Sequence, residues 1–95
     1  MLEIEGELTI HTAADRRVVL MALADAGGDL ELDLSGVTEL DTAGLQLLLL
    51  ARREAARGGG RLTLSAVSRA VADVLAIAHL DLGPARSDDV VEVAR

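Results

Sequence analysis

The chain has 95 residues, 51% of them apolar, with no aromatic residue, no cysteine and a formal net charge of −7. That length suits one small domain around one aliphatic core, while the missing rings and the negative charge argue against base stacking, cation cages and phosphate-backbone binding. Absence of cysteine removes disulfides, thiolate metal sites and thiol nucleophiles, and no apolar run nears the ~20 residues of a bilayer span or follows a basic leader, so a cytoplasmic protein without membrane insertion is expected.

The chain opens with Leu2, Ile4, Leu8 and Ile10 alternating with Glu3, Glu5, Glu7 and Thr9, interrupted by Gly6, which reads as one bent strand or two short ones. Residues 13–26 form a helical pattern with Val19, Leu20, Leu23 and Ala24 on one stripe and Gly27-Gly28 as its stop. Val18, Met21 and Ala22 lie off that stripe, so Val18 and Met21 belong either to a docking patch or to a wide buried face. Leu30, Leu32 and Leu34 alternate with Glu31 and Asp33 as a second strand, followed by an expected loop over residues 35–41.

A second helix is expected from Thr42 to near Arg57, where Gly58-Gly59-Gly60 supplies a left-handed turn. Leu62 and Leu64 mark the next strand. Ser68 is the expected N-cap of a third helix running to about His79. Residues 83–89 read as a loop, and Val91 and Val93 flank Glu92 in a short edge strand or frayed tail.

Strands alternating with helices imply parallel strands joined by crossovers, and one polar face per strand places the helices mainly on the other face. Right-handed crossovers confined to one face make the strands add in one direction. The expectation is a single small α/β domain over residues 1–95, with a mixed, mostly parallel sheet of four or five strands and three or four helices, the N-terminal segment being an antiparallel addition.

The stretch Glu39-Leu-Asp-Thr-Ala-Gly-Leu-Gln-Leu-Leu-Leu-Leu50 sets a polar cluster at the head of the most apolar run. Asp41 and Thr42 fall at a helix N-terminus, where backbone N–H groups lack partners and negative charge is favoured. One reading is a plain helix cap. The other makes Thr42 a phospho-acceptor, with free N–H groups receiving the phosphate and Gly44 leaving room for another molecule's backbone.

Residues 33–45, Asp-Leu-Ser-Gly-Val-Thr-Glu-Leu-Asp-Thr-Ala-Gly-Leu, resemble the signature of STAS domains, a family that includes anti-sigma factor antagonists and the cytoplasmic domains of sulfate transporters. Residues 6–13 and 59–71, with Leu75 and Leu80, resemble other parts of that family in the same order. The resemblance implies a non-enzymatic anti-sigma factor antagonist, phosphorylated at Thr42 beside Asp41 by a serine/threonine kinase that doubles as the anti-sigma factor, and reset by a phosphatase. The partner would dock through the loops around Thr42 and the first helix, which nominates Thr9, His11, Thr12, Val18, Met21, Thr38 and Ala43. Thr9 departs from the Asp of many sigma-pathway members, and the usual first strand is truncated or fused into residues 1–5. The sequence is similar as well to STAS proteins of chemotaxis systems and to the small subunit of a phospholipid ABC transporter, which docks on the transporter's ATPase.

Catalysis finds little support in the residues. The chain has no lysine, which a receiver domain's acidic pocket needs, and Gly58-Gly59-Gly60 follows a helix where a phosphate-cradling loop would lead into one. His11 and His79 stand alone, and the carboxylates form no metal-ligand cluster, so no cofactor is expected. Arg52, Arg53, Arg57 and Arg61 gather at the end of the second helix, where they complement its dipole.

Overall fold

The structure, a computed structural model, describes residues 1–78. Strands β1 (Leu2–Leu8), β2 (Leu30–Leu40) and β3 (Leu62–Val67) alternate with helices α1 (Ala13–Asp25), α2 (Thr42–Arg57) and α3 (Arg69–Ile77). The sheet order is β1-β2-β3, and both pairings are parallel. The expected α/β fold is present, with strands adding in one direction, and the sheet has three strands among the described residues. The expected loop at 83–89, the strand at 91–93 and His79 lie outside the described residues.

Two expectations need correction. The N-terminal segment is a parallel strand, because α1 carries the chain from the end of β1 back to the start of β2, and such a crossover returns it in the same direction. It stops at Leu8, so the apparent alternation through Ile10 does not continue: Thr9 is buried and Ile10 is 71% exposed. The expected loop at 35–41 is strand as far as Leu40. Opposite β1, the register shifts twice, so that Glu3 and Glu5 pair with Asp33 and Gly36, and Gly6 and Glu7 with Val37 and Glu39. These bulges let Leu34, Val37 and Leu40 all reach the core at a spacing of three, which a search for strict alternation misses.

The inward residues of the sheet meet the helices in one aliphatic core. Ile4, Leu8, Leu32, Leu34, Leu64 and Val67 pack with Leu47, Leu48 and Ala51 of α2, Val71 and Leu75 of α3, and Leu20 and Ala24 of α1. The opposite face of the sheet carries exposed Glu3 and Glu31 and half-buried Asp33 and Thr63, as its polar alternation requires. Asp33 there accepts hydrogen bonds from the Ser35 hydroxyl (2.7 Å) and the Ser35 N–H (2.9 Å), which hold its carboxyl below the ordinary value.

The helices differ in how they are held. In α2 the buried positions Gly44, Leu47, Leu48, Ala51 and Ala55 follow one helical stripe, and after Gly58 the chain turns at Gly59, whose φ is +84°. Ser68 caps α3 by accepting from the Val71 N–H at 3.2 Å, as expected. α1 packs chiefly on α2 and touches the sheet little. Its expected stripe is therefore only half buried: Leu20 and Ala24 are inside, while Val19 and Leu23 are exposed.

Replacing Leu48, which is fully buried, with Ala is expected to destabilise the chain by about 3 kcal/mol through lost burial and the cavity left behind. Val18→Ala, on the outer side of α1, should fall within about 0.5 kcal/mol of wild type. Urea unfolding followed by far-ultraviolet circular dichroism measures both.

Candidate docking and modification site

α2 begins where two distant segments meet. Asp41 is its N-cap, and each carboxylate oxygen has its own donor: Oδ1 accepts from the Gly44 N–H and Oδ2 from the Ile10 N–H, both at 3.0 Å. The first bond caps the helix. The second fastens the loop after β1 to the helix start, across 31 residues of sequence. The Asp41 N–H in turn donates to the Leu8 carbonyl at 3.4 Å, and the Asp41 carbonyl accepts from Leu45 N–H at 2.9 Å. The donors from Ile10 and then Gly44, with smaller contributions from the Ala43 N–H and His11, hold the Asp41 carboxyl below its ordinary value of 3.8 against a slight opposing effect of burial.

Gly44 is buried, and the backbone that approaches it belongs to this chain. A Cβ at that position would fall on the Leu8 carbonyl oxygen and lie 2.7 Å from Leu40 Cδ1 and 2.8 Å from the Leu8 carbonyl carbon. The glycine therefore lets α2 start directly against the end of β1, and it leaves no vacancy for another molecule. This corrects the reading in which Gly44 makes room for a partner's backbone.

Thr42 occupies the first helical position and is exposed. Its hydroxyl makes no hydrogen bond among the described residues. Capping is thus the work of Asp41, and it leaves the Thr42 side chain unexplained. The same geometry revises what a phosphate would meet. Asp41 already holds the Gly44 N–H, so a phosphate on Thr42 would find that amide taken and a carboxylate beside it.

The loop between β1 and α1 forms the other half of the site. Thr12 precedes α1 but makes no side-chain cap to it. Its hydroxyl accepts from the Thr9 N–H at 3.1 Å and donates to the Glu7 carbonyl at 2.9 Å. Thr9 is only 2% exposed, its hydroxyl donating to Glu7 Oε1 at 3.0 Å and accepting from the His11 N–H at 3.3 Å. Thr9 and Thr12 therefore shape the loop, and the groups it presents outward are Ile10 and His11.

Of the remaining candidates, Ala43 joins the site directly. It lines a groove of about 260 Å³ between the starts of α1 and α2, together with Ala13, Ala14, Arg17, Gln46 and Leu50. Thr38 is exposed on β2, and Val18 is exposed on α1 about 9 Å along the helix from Thr12. No hydrogen bond joins either to Thr42 among the described residues. Met21 is half-buried against the core, which fits the wide buried face, whereas Val18 is exposed and takes no part in that face.

Sequence reasoning missed Ile10 and the groove residues Arg17, Gln46 and Leu50. Ile10 read as an inward strand residue, and only the end of β1 at Leu8 turns it out. The groove depends on how α1 crosses α2, for which the sequence carries no local sign.

Fold and site together define a small parallel α/β domain that presents an unpartnered threonine at a capped helix start, beside an exposed loop and a shallow groove. A family model described as "Mlab, STAS domain" matches residues 1–91, and the chain belongs to the STAS domain family. Among curated proteins, none matches the chain. No helix among the described residues is long and apolar enough to cross a membrane.

Gly44→Ala tests the close approach. Helix propensity alone favours Ala by about 1 kcal/mol, but the obstructing atoms are backbone, so a net loss of about 2 kcal/mol or more is expected. Gly58→Ala, whose Cβ would meet nothing closer than 3.7 Å, should be near neutral in the same urea titration.

The Asp41 tether sets a pH dependence of definite sign. A carboxyl lowered by folding stabilises the native state above its ordinary value of 3.8, and that contribution is lost as pH falls through the lower folded value. The gap in urea midpoint between wild type and Asp41→Ala should be constant from about pH 7 to about pH 5 and should narrow below about pH 4. A gap that widens on acidification would contradict this.

Proposed function

We propose that the chain is a non-enzymatic docking module that binds a protein partner at the Thr42 end of α2 and releases it on phosphorylation of Thr42, in the manner of an anti-sigma factor antagonist. The observation that carries the reading is the Thr42 hydroxyl, exposed at the first helical position and left without a hydrogen bond by a cap that Asp41 completes alone. A kinase would align the Thr42 oxygen with the γ-phosphorus of ATP. The new O–P bond forms as the bond to ADP breaks, and the hydroxyl proton passes to a base on the kinase. A phosphatase reverses the modification with water.

The switch is electrostatic and steric. The unmodified site offers a neutral hydroxyl, the Ile10 side chain and the groove beside Ala43. A phosphate adds about −1.5 to −2 charge next to the Asp41 carboxylate, where it opposes apolar contact and repels an acidic partner surface. The fold need not change, since the hydroxyl makes no hydrogen bond among the described residues that modification would break.

A second reading has its own support. The matching family description names Mlab, which favours a constitutive docking subunit on the ATPase of a phospholipid transporter. That reading uses the same surface without a kinase.

Intact-mass measurement after incubation with the cognate kinase and ATP separates the two, the switch requiring one phosphoryl group, lost in Thr42→Ala. Thr42→Glu should weaken binding to the purified kinase partner by at least about tenfold. Its urea midpoint should stay near wild type, since a negative charge suits a helix start. Equal binding of wild type and Thr42→Glu sinks the switch. An unmodified chain that binds a transporter ATPase establishes the second reading.

A further inference from the structure

The outward side of α1 is apolar where a solvent-facing helix is normally polar. Val18, Val19 and Leu23 are 72%, 47% and 40% exposed, and Ala22 is exposed with them. They follow i, i+1, i+4, i+5 spacing, which puts them on one stripe. Asp15 and Asp25 stand at its two ends, about 15 Å apart along the axis. The cations of the helix are engaged away from the stripe: Arg16 donates to the Glu5 carbonyl of β1 at 2.6 Å, and Arg17 lines the groove beside Ala43. Beyond Leu23 the stripe runs into a second groove of about 340 Å³, where Leu23, Ala26 and Leu30 share the lining with Asp29 and Glu31.

We propose that this face is an interaction surface for a basic amphipathic helix of another protein. Its apolar side chains would cover Val18, Val19, Ala22 and Leu23, and its lysines or arginines would meet Asp15, Asp25, Asp29 and Glu31. The charges select this occupant. In a second copy packed antiparallel across the stripe, Asp15 meets Asp25, and in a parallel pair each Asp meets itself, so self-association sets like charges together. An anionic bilayer surface is repelled by the same four carboxylates and by a net charge of −7. A cationic, apolar helix satisfies both features of the surface at once.

The surface is separate from the Thr42 site, so the two readings fail independently. The probe is a synthetic helical peptide of about 15 residues with leucines at helical spacing between lysines at either end, set against a twin with glutamates in place of lysines. Nuclear magnetic resonance titration of the full chain should move the amides of residues 18–26 with the lysine peptide, which should bind at least about tenfold more tightly than its twin. Val18→Gln/Leu23→Gln should abolish the effect, Asp25→Lys/Asp29→Lys should weaken it, and Thr42→Glu should leave it intact.

Equal binding of the twin, or shifts confined to other surfaces, overturns the proposal. So does sedimentation showing a dimer of the free chain that Val18→Gln/Leu23→Gln dissolves, because the occupant is then a second copy. A large fall in the urea midpoint of the monomeric double variant likewise overturns it, since the chain itself then covers the face.

Discussion

One carboxylate organises the end of the molecule at which α2 begins. Asp41 accepts a backbone N–H from its own helix through one oxygen and a backbone N–H from the loop after β1 through the other. The close seat of Gly44 on the Leu8 carbonyl fixes the same junction sterically. Together they determine where α2 starts, how the β1–α1 loop lies and which side of each points outward. Such a junction needs an acceptor with two free oxygens and, three residues on, a residue with no side chain, which is what Asp-Thr-Ala-Gly supplies.

Because capping is complete without it, the threonine between these two residues is structurally idle. Its hydroxyl can change chemical state without unravelling the helix or freeing the loop. A site in which the threonine itself capped the helix would unfold its own support on modification. The arrangement also sets the surroundings of any added charge. With the Gly44 amide occupied and a carboxylate adjacent, a phosphate there would place its charge beside that of Asp41 on the exposed side of the helix start.

Much of this was legible in the sequence. Alternating leucines marked β2 and β3, a helical stripe marked α1, the glycine run marked the end of α2, and Ser68 and Asp41 announced their caps. What escaped notice arises where local periodicity and long-range packing part company. The second half of β2 looked like a loop because two bulges change its inward spacing from two to three, and because Asp33, Ser35 and Gly36 form a turn-like sequence inside a strand. Ile10 and Thr9 exchanged their expected sides because β1 ends at Leu8, two residues before the apparent alternation does. Gly44 was recognised as unusual, but only the position of Leu8 shows that its neighbour is internal. The Asp41–Ile10 bond joins residues too far apart in sequence for any motif to reveal.

The exposed stripe of α1 follows from the same economy. A core without aromatic rings is thin, and here α2 and α3 cover most of the sheet, leaving α1 to lean on α2 with Leu20 and Ala24 as its buried anchors. Two anchors leave most of a largely apolar helix facing solvent, a condition that invites self-association. The surplus of acidic residues opposes that outcome, since copies of the chain repel one another while a basic partner is drawn in. Apolar exposure and negative charge are therefore complementary halves of one surface: the first supplies contact area, and the second restricts which molecule can use it.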